Sequence, residues 1–219
     1  MVGLFDSGSG GLNTVRYIKE NAPDVDLVYL IDRARAPYGI KTEKELVGIT
    51  SENIERLLDM GATRVLIACC TASTVHPQLS HGLKSISIPI VQAVADCAKN
   101  ATRIGSIGVI ATAHTVNSHA FKNALTGYSV SELALGELVS LIDSGLSDDT
   151  IGKQEEEKLG TMLEPILTRG IDTLILGCTH FPSLIRTIEK IARPYGIHSV
   201  IDSARTGAEL LIKESRKLT

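Results

Sequence analysis

Two cysteines carry the chemistry this chain is equipped to do. Cys69 closes the apolar run Val65-Leu66-Ile67-Ala68 and precedes Thr71-Ala72-Ser73, while Cys178 closes Leu174-Ile175-Leu176-Gly177 and precedes Thr179-His180-Phe181-Pro182. Each therefore sits where a strand ends and a helix is about to begin. A helix N-terminus is expected to lower a thiol pKa from about 8.5 towards neutral, and it attracts carboxylates. Two opposed thiols beside anion-binding backbone suit removal of a proton from a carbon next to a carboxylate, with return from the opposite face. One sulfur starts as thiolate and the other as thiol, and inversion exchanges their states. That is racemisation by two bases, and it needs no cofactor. A cysteine ending a core strand also serves as a small hydrophobe; the matched placement of these two favours the chemical role. Cys97, inside an expected helix, keeps the packing role. A zinc site from Cys69, Cys70, Cys178 and His180 lacks the Cys-x₂₋₄-Cys spacing of structural zinc, so no metal is expected.

A second candidate element follows the first strand. Asp6-Ser7-Gly8-Ser9-Gly10-Gly11 brings three glycines to a strand end, where backbone N–H groups can approach an anion closely and a following helix adds its positive end. The segment lacks the Lys-Ser/Thr of a phosphate-binding P-loop and is not Gly-x-Gly-x-x-Gly. Pro37-Tyr38-Gly39, after the second strand, reads as a turn on its own. Of six histidines, His180 alone stands at a strand end beside a candidate base.

These residues need elements to hold them. Short apolar runs alternate with longer amphipathic stretches, the pattern of an α/β fold with parallel strands covered on both faces. Strands are expected at Val2–Phe5, Leu27–Ile31, Arg64–Ala68, Ile88–Val91, Ser106–Ile110, Ser129–Leu133, Thr173–Leu176 and Ser199–Ile201. Thr42 with Glu45 reads as a capping box opening a helix through about Met60. Another helix is expected from about Asp149 to Thr168, with Gly170 releasing the chain into the next strand. Val2–Ser7 resembles Ile107–Thr112 at an offset of 105 residues, and Val65–Cys69 resembles Leu174–Cys178 at 109. Two matches at nearly one offset imply two similar halves, each with its cysteine at the carboxyl end of a strand. Parallel strands with right-handed crossovers put such ends on one edge.

Composition bounds the function classes. The 219 residues are 43% hydrophobic and 21% charged, which is ordinary for a globular chain and excludes disorder or coiled coil as a description of the whole. The net charge of −3, the absence of a basic block and the scarcity of aromatics (three Phe, five Tyr, no Trp) argue against nucleic-acid partners. No apolar run is long enough for a bilayer span, and Met1–Asp6 does not read as a signal peptide. A cytoplasmic location is the default expectation, in which disulfides are disfavoured.

Together the motifs resemble the aspartate/glutamate racemase family, and within it the cofactor-independent glutamate branch. The segments that carry the resemblance are Gly3-Leu-Phe-Asp-Ser-Gly-x-Gly-Gly-Leu12, Ala34-Arg-Ala-Pro-Tyr-Gly39, Ile67-Ala-Cys-x-Thr-Ala-Ser73, Gly108-Val-Ile-Ala-Thr112, Leu174-Ile-Leu-Gly-Cys-Thr-His-x-Pro182 and Asp202-Ser203-Ala204. The Cys-Thr-His ending is what favours the glutamate branch. The resemblance implies that Cys69 and Cys178 are the proton donors and acceptors, assisted by Asp6 and His180. It implies that Asp6, Ser7, Pro37, Tyr38, Gly39, Cys70, Thr71, Thr179 and His180 hold an acidic amino acid. It also implies D-glutamate supply for peptidoglycan, and leaves a homodimer open. Two α/β domains are expected, of similar doubly wound parallel-sheet type and in pseudo-twofold relation. The first comprises residues 1–92 plus 200–219 and the second residues 93–199, with the site in the cleft between them. The chain departs from the family pattern at Cys70, where Asn is usual, at Ala134-Leu135-Gly136 in place of Ala-Cys-Pro, and at Asp143 in place of Glu. Ile31 and Arg33 also replace small residues. Racemisation of another acidic amino acid such as aspartate, or amino-acid binding without turnover, remain the alternatives.

Overall fold

Leu-, Ile- and Val-rich runs bounded by Gly, Asp and Pro form eight parallel strands among the described residues, which in this computed structural model are 1–217. The last two residues of the expected 200–219 segment lie outside them. Strands β1 (Val2–Asp6), β2 (Leu27–Ile31), β3 (Arg64–Ile67) and β4 (Ser87–Pro89) make one sheet in the order β2-β1-β3-β4. Strands β5 (Ser106–Ala111), β6 (Ser129–Ala134), β7 (Thr173–Gly177) and β8 (Ser199–Asp202) make a second in the order β6-β5-β7-β8. The orders are the same, so β5 repeats β1 and β7 repeats β3, as the two sequence offsets imply.

The helices are α1 (Gly11–Asn21), α2 (Glu43–Asp59), α3 (Cys70–Ser73), α4 (His81–Ile86), α5 (Ile90–Ala101) and α6 (Ala113–Asn117). They continue with α7 (Ala120–Ala124), α8 (Gly136–Asp143), α9 (Lys153–Leu167), α10 (Ile185–Ala192) and α11 (Ser203–Ser215). The capping box forms as expected: the Glu45 amide donates to Thr42 Oγ1 at 3.3 Å, and the Thr42 amide donates to Glu45 Oε2 at 2.8 Å. One apolar cluster runs through both halves, joining Leu4 and Leu66 to Val109 and Ile175 by way of Val94, Ala98 and Leu211. Helices α5 and α11 thus fill the seam between the sheets, and burial of their apolar faces holds the halves together.

Four local expectations are corrected. Ile88–Val91 is not a strand throughout, because Pro89 offers no N–H to a ladder and α5 begins at Ile90, where the Ser73 hydroxyl accepts the Val91 amide at 3.2 Å. Helix α5 consequently runs across the expected boundary at 92/93. The helix expected from Asp149 starts at Lys153, because Asp148 instead accepts the amides of Arg186 and Thr187 at 2.9 Å each, close to the start of α10. Residues 200–202 belong to the second sheet through the β7–β8 pairing, so it is α11, packed on α1, that returns the chain to the first half.

Candidate active site

The register decides what stands at the sheet edges. Phe5 pairs with Ile67, and Ala68 donates its amide to the Phe5 carbonyl, so Asp6 and Cys69 emerge side by side beyond the first sheet. In the second sheet Ala111 pairs with Gly177, which puts Thr112 and Cys178 at the equivalent edge. The two edges face each other across a cavity of about 270 Å³, and both Cys69 and Cys178 line it. The cavity thus receives thiols from both halves.

Of the residues proposed from the sequence, Ser7, Pro37, Tyr38, Gly39, Cys70, Thr71, Thr179 and His180 also line this cavity. Asp6 does not: its side chain is wholly buried behind the wall, where Oδ1 accepts the Gly8 amide at 3.0 Å and Oδ2 accepts the Thr179 hydroxyl at 3.0 Å. Burial pushes the Asp6 carboxyl above its ordinary range, against the opposing pull of His180 and the Gly8, Thr179 and Gly11 donors. Cys69 Sγ lies 3.4 Å from the Ser7 hydroxyl, and Cys178 Sγ lies 3.6 Å from His180 Nδ1. His180 Nε2 is 3.3 Å from Asp143 Oδ1, without the alignment of a hydrogen bond; that oxygen already accepts the Ser9 hydroxyl at 2.6 Å.

The thiols depart from the expectation of lowered pKa. Burial, with the Asp6 charge adding to it, pushes Cys69 up to about 11, and burial pushes Cys178 and Cys70 up as well. The reason is geometric. Cys69 is followed by a helix of only four residues and Cys178 by a short 3₁₀ turn, so little helix dipole opposes desolvation.

Thr115 and Asn13 escaped the sequence reading, as did the contact between Thr71 and Thr112. Thr112, Thr115 and Thr71 join their hydroxyls pairwise at 2.9, 3.0 and 3.2 Å, linking α3 of the first half to α6 of the second. Asn13 Nδ2 donates to the Thr179 carbonyl at 3.0 Å, again across the halves. Asn13 looks like any polar position of an amphipathic helix, and no local signal marks it. Thr112 stands at the end of a quoted motif, and only its placement opposite Thr71 gives it a role. The Tyr38 hydroxyl, in contrast, does not face substrate freely, since it donates to Asp32 Oδ2.

Residues 12–211 match the Asp/Glu/Hydantoin racemase family. A glutamate racemase of Desulforudis audaxviator is 38% identical over 200 residues, covering 88% of this chain and 71% of the relative. Among solved structures, a glutamate racemase isoform of Bacillus anthracis matches with a TM-score of 0.88 at 29% identity, covering 100% of this chain and 82% of the other. The glutamate racemase of Francisella tularensis, solved with D-glutamate, gives 0.85 at 28% identity, covering 99% and 81%. With 200 of its residues inside one family match and its topology reproduced in these structures, the chain belongs to the Asp/Glu/Hydantoin racemase family.

Proposed function

We propose that this protein interconverts L- and D-glutamate by a cofactor-independent, two-thiol mechanism, and that the D-glutamate serves peptidoglycan synthesis. The observation that carries the reading is the convergence of Cys69 and Cys178, from equivalent strand ends of two repeated halves, on one cavity. A planar carbanion held between two sulfurs can be reprotonated from either side, and holding the α-carbon in line with both lowers the entropic part of the barrier.

With Cys69 held near 11, only on the order of one thiol in ten thousand is ionised at neutral pH. The substrate ammonium supplies the missing positive charge as it enters, drawing the thiol pKa down. On the other face His180 Nδ1, 3.6 Å from Cys178 Sγ, is in position to exchange a proton with that thiol. We assign a substrate carboxylate to the Thr71 hydroxyl on the cavity wall, since the Gly8 amide and the Thr179 hydroxyl are already committed to Asp6.

The test is incubation of each glutamate enantiomer in deuterated water. The parent incorporates deuterium at the α-carbon as optical rotation decays. Cys69→Ser loses proton removal from one enantiomer and Cys178→Ser from the other, while both keep the far-ultraviolet circular dichroism of the parent. Full two-way racemisation by both variants would overturn the mechanism. Exchange with aspartate but not glutamate would move the substrate, and exchange with no acidic amino acid would leave a binding protein.

A further inference from the structure

Beneath the loop Pro37-Tyr38-Gly39 lies a largely buried ionic cluster that reaches the cavity only through Tyr38. Asp32, 5% exposed, collects three donors on one oxygen: Arg35 Nε at 2.7 Å, Asn53 Nδ2 at 3.1 Å and the Tyr38 hydroxyl. Asn53 also donates to the Tyr38 oxygen at 3.0 Å and accepts Arg35 Nη2 at 2.8 Å, and Arg35 Nη1 reaches Glu52. The cluster therefore ties the end of β2 and helix α2 to the side chain of Tyr38, which is 2% exposed.

Burial alone would raise the Asp32 carboxyl, but the Tyr38 and Asn53 donors and Arg35 hold it below its usual range, so it is ionised at neutral pH. A buried charge with three donors converging on one oxygen holds a single geometry, since displacement strips a desolvated carboxylate of partners. The tyrosine hydroxyl, donating to Asp32 and accepting from Asn53, is committed to the protein. What the loop offers the cavity is its backbone and the face of the ring.

We propose that Asp32 is a positioning residue for substrate, acting through Tyr38 to fix the Pro37–Gly39 loop as a wall of the cavity. The proposal rests on the racemase reading for its kinetic consequence, though not for its structural one. A fixed wall lowers the ordering cost of binding and leaves the two proton transfers alone. Loss of Asp32 therefore weakens KM for both enantiomers equally and spares kcat, whereas loss of a proton-handling group acts on kcat from one side.

The chain contains no tryptophan, so Ile40→Trp, at a position 83% exposed beside the loop, installs a single fluorescent reporter. In that background Asp32→Asn lowers the steady-state anisotropy of the reporter. It also raises KM for L- and D-glutamate by about tenfold, with kcat within about threefold of the background value. Tyr38→Phe, which keeps the ring and removes one donor, gives the same pattern at about threefold. Should Asp32→Asn fail to fold, Tyr38→Phe decides on the same two readouts. Unchanged anisotropy, or a loss confined to kcat or to one enantiomer, overturns the proposal. A protein that turns over no glutamate before any substitution would sink the racemase reading alone, and the anisotropy comparison would still decide whether Asp32 holds the loop.

Discussion

Cys70 is where this chain departs most from its family's pattern inside the cavity. The structure seats it on the cavity wall, 2% exposed, with its thiol against the Ser203 hydroxyl, which makes no full hydrogen bond. A thiol is a weak donor and weak acceptor, so both the wall and Ser203 are under-served. Cys70→Asn should supply two amide donors and a carbonyl at this point. We expect kcat/KM for glutamate to rise by up to about tenfold, the worth of one regained neutral hydrogen bond of roughly 1 kcal/mol. We also expect thermal stability to hold. A fall in kcat/KM, measured on glutamate and aspartate together, would mean that the pocket is fitted to sulfur. Residue type together with strand-end position made Cys69, Cys178 and His180 legible as candidates that line the cavity. Neither revealed that burial raises both thiols, because desolvation depends on what packs around a group rather than on its sequence neighbours.

At the scale of elements, apolar runs located all eight strands to within a residue or two at most ends. Two local departures have identifiable causes: Pro89 closes β4 two residues early, and Asp148, engaged near the start of α10, goes with the later start of α9 at Lys153. Asp172 is a third side chain whose work is invisible locally. It precedes β7 and accepts the Thr102 hydroxyl at 2.6 Å and the amides of Arg103 and Ile104 at 2.6 and 2.9 Å, fastening the turn that leads into β5. Burial opposes its ionisation, but these donors outweigh burial and hold its pKa below the ordinary value. With a folded pKa below the unfolded one, its stabilisation is present above about pH 4 and is lost as pH falls through the folded value. Asp172→Asn should therefore cost about 1–3 kcal/mol at pH 7 and less at pH 3, below the unfolded pKa. Urea midpoints of both proteins at the two pH values check this; an equal cost at both would remove charge from the explanation.

At the scale of the molecule, the two halves come close together at the turn after β1. A Cβ placed on Gly10 would lie 2.4 Å from Thr179 Oγ1 and 2.8 Å from the His180 amide nitrogen. The backbone angle at Gly10 is an ordinary helical one, with φ of −56°, so it is proximity and not conformation that calls for glycine there. Gly10→Ala must push the halves apart at the cavity. Because a misplacement of about 1 Å can cost roughly a hundredfold, we expect kcat/KM to fall by about that factor while circular dichroism stays unchanged. Activity within threefold of the parent would show that the seam can give without disturbing the thiols.

By itself the sequence determined that there are two α/β halves, that they repeat, and which cysteine ends which strand. Each of these depends on periodicity and on residues adjacent in the chain, which short-range sterics and apolar patterning translate directly into elements. Only the tertiary structure decided that β8 completes the second sheet while α11 crosses to the first half. It alone withdrew Asp6 behind the wall, committed the Tyr38 hydroxyl to Asp32, and joined Thr71 to Thr112 across the cavity. The first and last of these join residues 173 and 41 positions apart and are set by how two apolar surfaces close on α5 and α11, while Tyr38 and Asp32, six apart, meet where the loop after β2 folds against α2. No local pattern encodes the distance between groups that meet only when that shared core is formed.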